Sequence, residues 1–141
     1  MPDTSQGQTG PAADLAAVRD RYARMFGTLP AGLATRFDVS GALDPEFLLL
    51  HERIREHVLE NPVLEPVTTQ LVTFALFLAA NNRDAARNHL SAAVRLGACR
   101  RHVHQVIELV AMTSGFGALA VGDALLAEMP AEGPATSEGN S

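Results

Sequence analysis

No lysine occurs in this chain: its 141 residues carry eleven basic side chains, and every one is arginine. That excludes mechanisms built on a lysine amine, Schiff bases and pyridoxal phosphate anchoring among them. Cysteine is nearly absent as well. The single thiol, Cys99, permits neither an intrachain disulfide nor a two-cysteine redox centre. Cations are not in excess either. A net charge of -5 and a pI near 5.4 argue against nucleic acid as a partner, because phosphate recognition needs gathered positive charge. The most apolar stretch, from Gln70 to Ala80, is too short to cross a bilayer, so no membrane partner is expected. No signal peptide is recognised, and a soluble, cytoplasmic protein is the expectation. No segment alternates with period two over a useful length, so no sheet is expected.

What is present is apolar and helical in rhythm. Hydrophobic residues make up 47% of the chain against 19% charged, enough for a packed core. The pattern predicts an all-α fold of about six helices in one domain over 13–129. Flexible tails are expected at 1–12 and 130–141, both poor in periodicity and rich in Ser, Gly, Pro and Thr. The first helix runs from Asp14 to Phe26 with Leu15, Val18, Tyr22 and Met25 inward, and Ala31 to Ala42 reads as a connector. Asp44-Pro45 is a strong helix start, with Asp at the N-cap and Pro at the first helical position. Phe47, Leu50, Ile54 and Val58 are the inward residues expected of that helix.

The centre of the chain is Pro66 to Gly97, two helices joined at Ala80-Asn81-Asn82. The first is apolar on nearly every face after Gln70 and must be wrapped by other helices or other subunits. The second opens at the N-cap Asn82, carries His89 and stops at Gly97. Beyond it, Val103, Val106, Ile107 and Val110 line one helix face, and Ala118 to Met129 forms a last helix of small residues. The apolar surplus favours self-association into a closed homo-oligomer.

Few residues have the chemistry for a site. His89 shares a helix face with Asn82 and Ala85, and an imidazole there could act as a general acid or base. The plainer reading is a core histidine bonded to a backbone carbonyl. Gln70 is the only amide on the first central helix and needs a partner, for which His89 or a substrate oxygen are candidates. Arg83 and Asp84 sit in the first turn of the second helix, where Asp is stabilised by the helix dipole. His104 and Glu108 have the spacing of a surface pair. No His-x-x-x-His pair or cysteine cluster exists, so no metal is expected.

The layout resembles the carboxymuconolactone decarboxylase and alkylhydroperoxidase-like family. The resemblance rests on Leu64-Glu65-Pro66 through Leu76, then Asn88-His89-Leu90 through Gly97-Ala98, then Val106 through Gly115-Phe116-Gly117-Ala118. Leu43-Asp44-Pro45-Glu46-Phe47 fits the lead-in helix, and coverage is roughly 42–127. The resemblance implies a helical bundle assembled as a homo-oligomer, a homotrimer or homohexamer. In the peroxidase branch the second central helix opens with Cys-x-x-Cys, followed by a His and preceded by a Glu. Those cysteines fall here on Asn82 and Ala85, and the Glu on Gln70; the His survives as His89. Without a thiolate nucleophile, disulfide-based peroxide reduction is excluded at this site.

The decarboxylase branch needs neither redox cysteine nor cofactor. Its usual Arg falls on Thr69, the aromatic of its Tyr-x-Gly turn on Thr113 and its Pro on Gly117. The resemblance therefore implies a cofactor-free acid/base enzyme, a decarboxylase, isomerase or cyclase, acting on a small oxygenated or lactone-like molecule. His89 is the expected proton carrier. Gln70, Asn82, Asp84, Arg83 and Phe116 are the expected substrate contacts, with Phe74 and Phe77 as further apolar candidates for a pocket wall. The alternative is a non-catalytic oligomeric member that binds a ligand or partner through a degenerate site.

Overall fold

The computed structural model describes residues 10–131, and every regular element among them is helical. Seven helices occur in place of about six: α1 (Pro11–Phe26), α2 (Ala31–Leu43), α3 (Pro45–Leu59), α4 (Pro66–Ala79), α5 (Arg83–Arg95), α6 (Arg100–Ser114) and α7 (Gly117–Glu128). The addition is α2, expected as a connector. Gly32 and Gly41 weaken its intrinsic helix propensity, but Leu33 and Phe37, one turn apart, are both buried. Packing of that pair outweighs propensity. Helix α1 begins at Pro11, two residues ahead of the boundary drawn for the tail; the rest of the expected tails, 1–9 and 132–141, lies outside the described residues.

The chain divides after Asn61 into two compact units. In the first, α1 to α3 bury Leu15, Tyr22 and Phe26, Leu33 and Phe37, and Leu48. Tyr22 stacks on Phe26 at 6.0 Å between ring centroids and meets Phe37 edge-on at 6.3 Å. Asp44 caps α3 as expected, its carboxylate accepting from the Phe47 amide at 3.0 Å. The expected inward face of α3 is corrected: Phe47, Leu50, Ile54 and Val58 point outward, at 64%, 53%, 67% and 61% exposed. The inward positions are Leu48 and Glu52. A buried glutamate holds the helix in this orientation through partners that its own segment does not reveal.

The second unit is built on the α4–α5 hairpin, with α6 and α7 packed against it. Its core comprises Phe74 and Leu78 of α4, Ala86 and Leu90 of α5, Val103, Ile107 and Val110 of α6, and Leu125 and Leu126 of α7. The hairpin corner is specified residue by residue. Asn81 adopts the left-handed conformation (φ 55°), its amide donates to the Leu78 carbonyl at 3.1 Å, and that of Asn82 donates to Phe77 at 2.9 Å. This is a Schellman closure with asparagine in place of glycine. Asn82 then caps α5, its side-chain oxygen accepting from the Ala85 amide at 3.2 Å. Gly97 (φ 92°) ends α5 by the same device, as its position in the sequence implied.

Gly122 lets α7 lie flush on α6, since a Cβ there would sit 2.6 Å from Ile107 Cγ2. Not every face is covered: Leu76 of α4 and Met112 of α6 stand exposed. No helix among the described residues is long and apolar enough to cross a membrane.

Candidate functional site

The hairpin corner determines which residues face each other. Gln70 lies ten residues before Ala80 and His89 seven after Asn82, about 15 and 10.5 Å along their antiparallel helices, so the two come within one turn of each other. They meet. His89 Nδ1 lies 2.7 Å from Gln70 Oε1, and His89 is 2% exposed. An amide oxygen only accepts, so the Nδ1 that faces it carries a proton and donates it. The imidazole also stacks on Phe77, with ring centroids 5.3 Å apart and planes 15° off parallel. The Nδ1 proton and the ring plane are thus both fixed.

The remaining sequence candidates lie elsewhere. Asn82 is exposed and its side chain serves as the α5 cap. Asp84 is exposed and pairs with Arg87 at 2.9 Å, while Arg83 reaches Glu128 at 3.6 Å. Arg87 also donates to Glu128 at 2.8 Å, and that hydrogen bond holds the Glu128 carboxyl below its ordinary range. These four charges tie the start of α5 to the end of α7. Phe116 stands exposed at the start of α7, and Phe74 is a core residue. His104 pairs with Glu108 at 2.7 Å as its spacing implied, and also approaches Asp123 of α7 at 3.3 Å. Among the described residues no group of three or more His, Cys, Asp or Glu side chains is placed to hold a metal.

A second buried polar cluster, not foreseen from the sequence, lies in the first unit. Glu52, 1% exposed, accepts a short hydrogen bond from the Tyr22 hydroxyl, which itself accepts from Arg55 Nε at 2.8 Å. Arg36 and His51 approach the other carboxylate oxygen at 3.5 and 3.2 Å. Burial, then the bond to Glu52, raises the Tyr22 pKa above its ordinary 10.0. The available signal was a glutamate one turn after Leu48 and three residues before an arginine, with a tyrosine on the inward face of α1.

An all-α chain with an imidazole–amide pair inside an antiparallel helical hairpin is the class that these features define. Its residues 45–128 match the carboxymuconolactone decarboxylase family, and the chain belongs to that family. No curated protein and no solved structure matches the chain significantly.

Proposed function

We propose that the chain is a cofactor-independent acid/base enzyme of the decarboxylase, isomerase or cyclase kind, acting on a small oxygenated or lactone-like metabolite. The observation that carries this reading is the buried His89–Gln70 pair. With Nδ1–H committed to the amide, Nε2 takes a proton from a carbon acid and returns it, or, once it has taken a proton from solvent, delivers that proton to the carbon left by departing carbon dioxide. Each step moves one proton, and the ring is back as it began only when the cycle of uptake and release at Nε2 is complete. Family membership supports the reading, and the lack of cysteine at 82 and 85 turns it away from peroxide reduction.

Gln70 orients the ring in this scheme. Of the other candidates, Arg83 offers the planar donor set that a substrate carboxylate would need. Asn82 and Asp84 already serve the start of α5, and Phe116 would act only at the surface. Self-association, as a homotrimer or homohexamer, belongs to the same reading.

The near-complete burial of His89 under Phe77 favours a second reading, a ligand- or partner-binding member with a retired site. Turnover of a panel of small unsaturated and lactone acids, in deuterated solvent, separates the two. His89→Ala should lower turnover by roughly a hundredfold or more with helicity and assembly mass unchanged. Equal turnover in the variant removes His89 from the mechanism. A wild-type protein that turns nothing over, yet melts higher with one of these acids, is the retired member.

A further inference from the structure

We propose that a cleft in the first unit binds an apolar carboxylic acid, with Arg19 holding the carboxylate and the groove between α1 and α2 holding an unbranched tail. This site is independent of the acid/base chemistry at His89. The cleft has a volume of about 450 Å³ and lies between the first half of α1 and the second half of α2, closed at one end by Pro45. That volume is within the range of small-molecule sites. Leu15 and Phe37, 8% and 5% exposed, form its floor. Ala12, Ala16 and Gly41 border it with side chains too short to fill the space, where longer ones would interdigitate.

The chemistry of the lining selects an anion with an apolar body. Among the described residues that line the cleft, Arg19 alone has a polar side chain. Its guanidinium lies over the Phe37 ring, 5.7 Å from the centroid, so the one cation stands directly on the apolar floor. A cationic ligand would be repelled there, and a hydroxyl would use only a fraction of the donor fork. A carboxylate matches that planar fork with two oxygens.

Arg19 is available for this task. It donates to Asp38 at 3.3 Å through one terminal nitrogen, and a guanidinium carries five donors. The two side chains are 41% and 70% exposed, and an ion pair so open to water contributes little. An incoming carboxylate therefore shares or replaces Asp38 at small cost. The reach of the cleft sets the tail: from Ala12 to Arg19 the helix rises about 10 Å, seven residues at 1.5 Å each. A medium-length aliphatic acid spans that distance with its head on Arg19 and its end near Pro45.

Isothermal titration of the full chain with octanoate, and in parallel with 1-octanol, tests the assignment. Octanoate should bind roughly tenfold tighter than octanol, the difference that one charge-assisted hydrogen bond supplies. Arg19→Gln should reduce that preference to about threefold or less, and Asp38→Asn, which releases Arg19 from its pair, should tighten octanoate by roughly two- to fivefold. Ala16→Trp, at an exposed position, should block both ligands with the circular dichroism spectrum unchanged; Ala12→Trp, exposed as well, replaces it if helicity falls. Equal affinity for acid and alcohol, a preference retained in Arg19→Gln, or binding undiminished in the tryptophan variants would each overturn the proposal. So would the absence of binding at millimolar octanoate, the result if a second copy or another part of the chain already covers the cleft.

Discussion

Each unit buries one polar cluster, and the two solve the same problem differently. Around Glu52 a carboxylate is kept inside by importing positive charge, from Arg36 and Arg55, together with the Tyr22 hydroxyl. Around His89 the imidazole is kept inside by an uncharged amide and the stacked Phe77 ring. The ionic cluster locks, because removing one member strands the charge of the others. The amide pair carries no such counter-charge, so removing the Gln70 amide takes away one hydrogen bond rather than an ion-pair partner.

Breaking the ionic cluster should produce the largest effect on stability. Glu52→Ala leaves the Tyr22 hydroxyl without its acceptor and two arginines without their counter-charge, and should cost about 3 kcal/mol, toward the low end for a broken buried pair because the arginines are partly solvated. Urea unfolding measures it, and a cost under about 1 kcal/mol would mean that solvent already shares the carboxylate.

Gln70→Leu should come next. It strands the Nδ1–H of His89 and should cost about 2 kcal/mol by the same measurement, with turnover falling as the ring loses its orientation. Unaltered stability would show that the amide bond is not what holds the ring.

The smallest effect sharpens the contrast through pH. Tyr22→Phe should cost about 1 kcal/mol near neutrality. The folded state raises the Tyr22 pKa, so its contribution is complete below the ordinary 10.0 and declines as pH climbs from there to the folded value. Wild-type stability should therefore fall on the alkaline side, and Tyr22→Phe should flatten that edge. The amide pair offers no such handle, so the alkaline edge of Gln70→Leu should run parallel to wild type.

These two clusters also explain what was legible in the sequence. Asp44-Pro45, Asn82 and Gly97 each perform a backbone task that residue type announces, and the helix ends fell where expected. The meeting of Gln70 and His89 was readable because a short joint makes the two helices antiparallel, which converts positions along the chain into heights. The orientation of α3 was not readable. By hydrophobicity, Phe47, Leu50, Ile54 and Val58 should face in, and it takes a hydroxyl thirty residues upstream, together with Arg36 and Arg55, to make burying Glu52 favourable instead. Long-range polar pairing leaves no periodic trace. The surroundings of Arg83 and Asp84 were no more readable, because both meet charges, Glu128 and Arg87, that a linear reading treats as spectators.

The corner at Asn81 and Asn82 has a consequence for how this site could vary. One residue turns the chain and the next begins the new helix, so the joint has no slack. A single residue inserted there would rotate all of α5 by about 100°. That would carry the imidazole out of phase with its amide while leaving every residue of both helices intact. The partnership is a property of the chain's arithmetic at the bend as much as of the two side chains that display it.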